Sequence, residues 1–229
     1  DPESTIEQRQ RVINSIGILD SLDISPEDIQ VYSSIMRIFE RARGYSKDNN
    51  PYEKFLFTQS VQRGRNFLIN NQKMLKEASD NFGIRPEIFV SILRIESDLG
   101  TNTGSYQAFG VFASIFYYAE DKSRKDWALN YLADLLQMAR LNDQKPTDIK
   151  SSYAGAVGFP QFMPTSYLVY AMDGDDDGVI NLYSLRDAVW SIGNYLVENG
   201  WHADRHDAVF DYNNSSLYVD CVFQYADLL

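Results

Sequence analysis

The chain has 229 residues, 44% hydrophobic and 23% charged, enough for one sizeable core or one and a half domains. Its formal net charge of -11 argues against a nucleic-acid partner, which would favour a basic surface, and against docking on anionic lipid by charge alone. No apolar run approaches the roughly 18 residues that a membrane-crossing helix needs. Aromatic residues make up 14%, a surplus that suits a sugar cleft, where rings pack on the apolar faces of pyranoses. Cys221 is the sole cysteine, which excludes an internal disulfide; its apolar setting reads as a buried, inert thiol. The opening Asp1-Pro2-Glu3-Ser4 reads as a trimmed start, from which any export signal or lipid anchor has been removed.

The patterning predicts helices nearly throughout. Ser25-Pro26-Glu27-Asp28 combines a cap residue, a proline at the first helical position and acids in the first turn. That helix is expected to reach about Arg43 and stop at Gly44. Residues 45–57 read as a loop broken at Asn49-Asn50-Pro51. A long helix is expected from Thr58 to near Gly83 and another from Pro86. Further helices are expected at about 108–119, 124–142, 164–171, 185–199 and 216–228. No alternating run is long enough to demand a sheet. The expected architecture is mainly α: an N-terminal helical extension over 1–57, packed on a catalytic domain over 58–229.

In the helix after Pro86, Phe89, Leu93 and Glu96 fall at i, i+4 and i+7. Ile88, Ile92 and Ile95 line the neighbouring face, so Glu96 closes an apolar stripe. Partial desolvation, with the negative end of the helix dipole near Gly100, should raise its pKa. A glycosidase acid needs such a carboxyl, still protonated near neutral pH. The competing reading is a boundary glutamate that snorkels to solvent or pairs with Arg94.

Three blocks carry a family likeness. The first is Phe82-Gly83-Ile84-Arg85-Pro86-Glu87-Ile88 leading into Ile95-Glu96-Ser97-Asp98-Leu99-Gly100. The second and most specific is Ser152-Tyr153-Ala154-Gly155-Ala156-Val157-Gly158-Phe159-Pro160-Gln161-Phe162-Met163-Pro164-Thr165-Ser166-Tyr167. The third is the acidic loop from Asp173 and the helix after it, ending in Asn199-Gly200-Trp201. Together they resemble the membrane-bound lytic transglycosylase B family, glycoside hydrolase family 103. The resemblance implies a lysozyme-like α domain with Glu96 as the sole catalytic carboxyl. It implies a substrate-binding set of Ser152, Gln161, Phe162, Tyr52 and the pair Tyr212 and Asn213. Two regions depart from the family. Only residues 202–211 separate Trp201 from Tyr212, where family members carry a long segment. Residues 103–127 also read differently, with Tyr106, Tyr117, Tyr118 and Trp127 as unassigned groove aromatics.

Asp173-Gly174-Asp175-Asp176-Asp177-Gly178-Val179-Ile180 matches the first half of an EF-hand loop: oxygen ligands at positions 1, 3 and 5, glycine at 6 and the Val179 carbonyl at 7. Ser184 stands where the usual bidentate glutamate would. The resemblance implies a longer loop, 173–187, closed by Asp187 and holding a structural Ca²⁺. Alternatives are a solvated acidic turn and a capping box between Ser184 and Asp187. His202 and His206 read as a surface pair rather than a metal site, since no further ligands accompany them.

The expected reaction cleaves the β-1,4 bond between N-acetylmuramic acid and N-acetylglucosamine in peptidoglycan and closes a 1,6-anhydro ring. Asp98, two residues from Glu96, points to another face, so a second catalytic carboxylate is not expected. A hydrolytic muramidase using the same glutamate and a non-catalytic glycan-binding envelope protein are the alternatives. The resemblance implies an exported monomer of the bacterial periplasm or envelope, acting on glycan strands.

Overall fold

The computed structural model describes residues 6–16, 24–42 and 50–229. The expected stop at Gly44, the first part of the 45–57 loop and the opening four residues lie outside them. Eleven helices are described: α1 Ile6–Ile16, α2 Ile35–Ala42, α3 Thr58–Asn70, α4 Gln72–Phe82, α5 Pro86–Ser97, α6 Ala108–Tyr118, α7 Lys122–Leu141, α8 Pro164–Tyr170, α9 Leu185–Glu198, α10 Arg205–Tyr212 and α11 Ser216–Leu228. Two short strands, β1 Tyr106–Gln107 and β2 Lys150–Ser151, pair antiparallel with Tyr106 opposite Ser151. No described helix is long and apolar enough to cross a membrane.

Contacts divide the chain into two interleaved compact units, and the division does not fall at residue 57. The first joins the described part of Asp1–Gly44 to Gly104–Val157 and Gln161–Val169. The second joins the described part of Tyr45–Thr103 to Gly158–Pro160 and Tyr170–Leu229. The stretch before residue 58 is thus shared out. Tyr52, Phe55 and Leu56 pack on the core of the second unit, while Ile35 and Tyr32 belong to a core cluster of the first.

In the first unit, α6 pairs with α7, and α1 and α2 pack on α6. The expected helix from Pro26 to Arg43 is corrected here: a 3-10 turn at Pro26–Asp28 gives way to a non-helical stretch before α2 starts at Ile35. The cause is tertiary. The Gln30 amide donates to the Gln107 side-chain oxygen at 2.8 Å and the Tyr32 amide to the Ser114 hydroxyl at 2.8 Å. Gln107 also donates to the carbonyls of Asp28 and Thr147, at 2.7 and 2.9 Å. Burial of β-branched Ile29 and Val31 completes the case for leaving the helix. Gly110 permits the approach, since a Cβ there would stand 2.0 Å from the Gln30 carbonyl oxygen.

In the second unit, α5 is the central element, in contact with α3, α4, α9 and α11. Ile88, Phe89, Ile92 and Leu93 are buried together with Leu75, Ile192, Tyr218, Val222 and Tyr225. The single helix expected over 58–83 is α3 and α4, separated by Asn71, whose side chain donates to the Phe67 carbonyl at 2.8 Å. Gly83 ends α4 in the left-handed region, as its sequence position predicts. A helix not anticipated, α10, starts at Asp204, whose carboxylate accepts from the amides of His206 and Asp207.

Candidate active site

Glu96 sits in the last turn of α5, half-buried, with Phe89 and Leu93 fully buried on the stripe that leads to it. Desolvation by burial pushes its carboxyl up to about 7, against a smaller lowering influence from the Tyr218 hydroxyl. Tyr218 and Tyr212 both face the Glu96 charge, and burial raises both phenols well above their ordinary value. The ring of Tyr218 lies 6.4 Å from Tyr212, near-parallel, and 5.7 Å from Tyr52, edge-on. Tyr195 meets Tyr212 at 4.8 Å. A neutral carboxylic acid among tyrosines is a group poised to give a proton to an oxygen and take one back.

Arg94, the alternative partner for Glu96, is committed elsewhere: it donates to the Ser60 hydroxyl at 3.1 Å and to Asp98. The helix stops at Asp98 and Leu99, both at positive φ (53° and 59°), before Gly100 is reached. Asp98 is held by Arg94, by Arg63 at 3.0 Å and by the Thr101 hydroxyl at 2.9 Å, so this carboxylate is occupied.

Tyr212 donates its hydroxyl to the Pro160 carbonyl at 2.6 Å, and the Phe159 amide donates to the Leu182 carbonyl at 2.8 Å. A Cβ on Gly158 would lie 2.4 Å from Leu182, which accounts for glycine there. Asn213 caps the end of α10. The second unit thus brings Glu96, Tyr52 and Tyr212 together. Tyr218 and Tyr195 are additions that the sequence reading missed. Tyr218, Val222 and Tyr225 are spaced i, i+4 and i+7, a signal that also describes plain core.

Ser152, Gln161 and Phe162 belong to the first unit. The Ser152 hydroxyl accepts from the amides of Ala154 and Ala156, at 3.3 and 3.2 Å, and so shapes its own turn. Gln161 takes a left-handed backbone at φ 52°. Phe162 is corrected: at 3% exposure, with its backbone paired to Val157, its ring is a packing group and not an open sugar platform. Tyr106 and Trp127 likewise pack on a core cluster of that unit, with Tyr32 and Phe39 respectively. Tyr117 is exposed and meets Tyr118 edge-on at 4.9 Å. Cys221 is buried, with its thiol 3.6 Å from the Tyr52 carbonyl.

The acidic loop gathers carboxylates of Asp173, Asp175 and Asp177 within 4.8 Å of one another. Such a hard, all-oxygen donor set fits a divalent cation of the calcium type. Asp187, 1% exposed, accepts from the Gly174 amide at 2.9 Å and the Asn181 amide at 2.7 Å, closing the loop across its neck. Burial first, then the charges of Asp175 and Asp173, push its carboxyl up against those two bonds. Ser184 precedes α9 without a side-chain cap bond, so the capping-box alternative finds no support. The Val179 amide donates to Asp177 at 2.8 Å. His206 stacks on Phe223 at 4.3 Å, a packing role.

The chain is 36% identical over 150 residues to membrane-bound lytic murein transglycosylase B of Escherichia coli K12, covering 65% of this chain and 41% of that protein. Its fold is similar to that of soluble lytic transglycosylase SltB1 from Pseudomonas aeruginosa: TM-score 0.83, 23% identity, 95% of this chain and 97% of that one. It is also similar to Escherichia coli lytic transglycosylase Slt35, solved in complex with calcium: TM-score 0.80, 21% identity, 96% and 91% coverage. The fold is therefore the mainly helical one of the lysozyme-like lytic transglycosylases. The transglycosylase SLT domain model matches residues 18–209, most of the sequence, and the chain belongs to that family.

Proposed function

We propose that the chain is a peptidoglycan lytic transglycosylase that cleaves the β-1,4 bond between N-acetylmuramic acid and N-acetylglucosamine and leaves a 1,6-anhydro end. The observation that carries the reading is Glu96: one half-buried carboxyl, pushed up to about 7, among Tyr52, Tyr212 and Tyr218. Glu96 protonates the glycosidic oxygen as the bond from C1 breaks, and the sugar's 2-acetamido oxygen steadies the positive charge that develops. The Glu96 carboxylate then takes the proton of the C6 hydroxyl, whose oxygen bonds to C1. This returns Glu96 to its starting state. Tyr212, Asn213 and Tyr52 bind sugar near the reacting bond; Ser152 and Gln161, in the first unit, bind sugar through their polar side chains. Asp98, held by two arginines, supplies no nucleophile.

Asp173, Asp175 and Asp177, with the Val179 carbonyl and Asp187, hold Ca²⁺, which when bound supplies charge neutralisation and a cross-link. The loop exit at Leu182 bonds to Phe159, and Pro160 receives Tyr212, so a braced loop helps keep that tyrosine in place. The enzyme acts at the bacterial envelope, in keeping with the name of the membrane-bound, murein-directed relative, and does so as a monomer.

Purified sacculi digested with wild type should release anhydro-ended muropeptides, identified by mass spectrometry, and Glu96→Gln should release none. Reducing ends in their place mean a hydrolase. Equal digestion by both proteins refutes Glu96 as the acid.

A further inference from the structure

Two residues before Glu96, the chain places a cation in the interior. Arg94 is 9% exposed and lies on the opposite side of α5 from Glu96. Its guanidinium stacks over Phe55 at 5.2 Å and donates to Ser60. The Tyr225 hydroxyl of α11 lies beside it. An uncompensated cation there would favour the ionised form of Glu96 and spoil it as an acid. Asp98 sits one turn on from Arg94 and pairs with it. It is fixed from α3 by Arg63 and from the following turn by Thr101, whose hydroxyl also donates to the Asp98 carbonyl at 2.9 Å.

The backbone is part of the same arrangement. Asp98 and Leu99 adopt left-handed conformations that non-glycine residues rarely take, and two in succession need outside support. That support is the Asp98 clamp, together with the Leu99 amide on the Leu93 carbonyl at 2.9 Å and the Asn102 amide on the Ser97 carbonyl at 2.8 Å. The turn determines where the last residues of α5, Glu96 among them, come to rest.

We infer that Asp98 is a positioning residue for the proposed reaction, with two linked tasks: it cancels the Arg94 charge behind Glu96 and locks the left-handed turn that aims the Glu96 carboxyl. The inference rests on Glu96 being the acid. The groups facing Glu96 from other elements, Tyr218 of α11 and Tyr212 of α10, are neutral phenols held above their ordinary pKa by burial, so they do not offset the arginine. Burial works against the Asp98 charge, but its bonds to Thr101 and Arg63 and the two arginine charges outweigh it, and the carboxyl is held below its ordinary value.

The test is a set of pH–rate profiles on sacculi for wild type, Asp98→Asn and the double variant Arg94→Gln/Asp98→Asn. Folding is verified by circular dichroism, and Glu96→Gln is the reference. Activity needs protonated Glu96, so it falls as pH rises through that pKa. In Asp98→Asn the unpaired Arg94 should move the falling limb of kcat down by about one pH unit. That is the effect of a unit charge about 10 Å away, across a helix, at an effective dielectric of about 20. kcat should drop by about tenfold or more through the loosened turn, with KM nearly unchanged. The double variant, with no buried cation, should recover the wild-type limb while keeping the lower kcat. If the single variant does not fold, the double carries the test: its pH limb and reduced kcat are then the required results. A folded Asp98→Asn with wild-type kcat and profile overturns the inference, as does a double variant with wild-type kcat. Undiminished activity in Glu96→Gln overturns the reading beneath it instead.

Discussion

Replacing Glu96, the proposed acid, should make the protein more stable, and only at pH values where its buried carboxyl would otherwise ionise. Glu96 has an ordinary carboxyl pKa of 4.5 when the chain is unfolded and about 7 when folded. The folded state therefore holds its proton more tightly. The stability that this confers is complete below about pH 4.5 and is lost as pH rises through about 7. At about 1.36 kcal/mol per pH unit, the gap sets a ceiling near 3 kcal/mol. Because the carboxyl is only half-buried and water screens part of the effect, about 2 kcal/mol is the working figure. Glu96→Gln keeps the shape and removes the charge. Thermal melts by circular dichroism at pH 4 and pH 8 should show near-equal Tm at pH 4. At pH 8 the variant should melt higher by about 4–8 °C, at roughly 2–4 °C per kcal/mol for a chain of this size. The raised Asp187 carboxyl acts in both proteins and cancels in the difference. A Tm difference that is the same at both pH values would mean that Glu96 ionises without strain, and the account of a strained, half-buried acid would be wrong. The expected trade is stability given up for function, since a solvated glutamate would be more stable and useless as an acid.

The acidic loop makes a second prediction. Chelator-treated protein should gain Tm on adding Ca²⁺, by up to about 2.7 kcal/mol of stability at a hundredfold excess over Kd, with a much smaller gain from Mg²⁺. Asp175→Asn should lose most of that gain, and no gain at millimolar Ca²⁺ would remove the metal from the account. A third prediction concerns the first unit alone. Gly110→Ala, which in an open helix would stabilise by about 1 kcal/mol, should here destabilise by about 2–3 kcal/mol and lower Tm. The reason is that the new Cβ would stand 2.0 Å from the Gln30 carbonyl oxygen, and an unchanged Tm would show that the Gln30 segment yields easily.

Most helices were legible because their signals are local. Pro86, Pro164 and Gly83 mark helix ends by their own backbone constraints, and the structure places α5, α8 and the end of α4 accordingly. The Ser25-Pro26-Glu27-Asp28 start signal was equally clear locally and led to the wrong length. What stops that helix is Gln107, 77 residues away from Gln30, and no short-range pattern reports it. The interleaving of the two units is likewise a matter of long-range contact, which is why a cut at residue 57 looked reasonable from helical patterning alone.

The candidate site divides along the same line. Glu96 was legible because its spacing from Phe89 and Leu93 turns burial into a periodicity, and burial is the main cause of its raised pKa. The tyrosines that complete its surroundings were only half legible, because a tyrosine in an apolar stripe reads the same whether its hydroxyl serves a carboxyl or merely fills space. The structure separates the two cases by hydrogen bonding. The Tyr225 hydroxyl donates to the Ser60 carbonyl at 2.7 Å, as a settled core tyrosine does. The Tyr218 hydroxyl, equally buried, makes no hydrogen bond of ordinary geometry although it faces Glu96. A buried hydroxyl left in that condition is costly, by about 1–3 kcal/mol, and such a cost is tolerated where a passing ligand or a shuttling proton relieves it. The same logic applies to Asp98, whose left-handed backbone is unfavourable taken alone and becomes intelligible as the counterweight to Arg94. In both places a residue that looks wrong by local rules stands within contact or two residues of the one carboxyl on which the proposed chemistry depends.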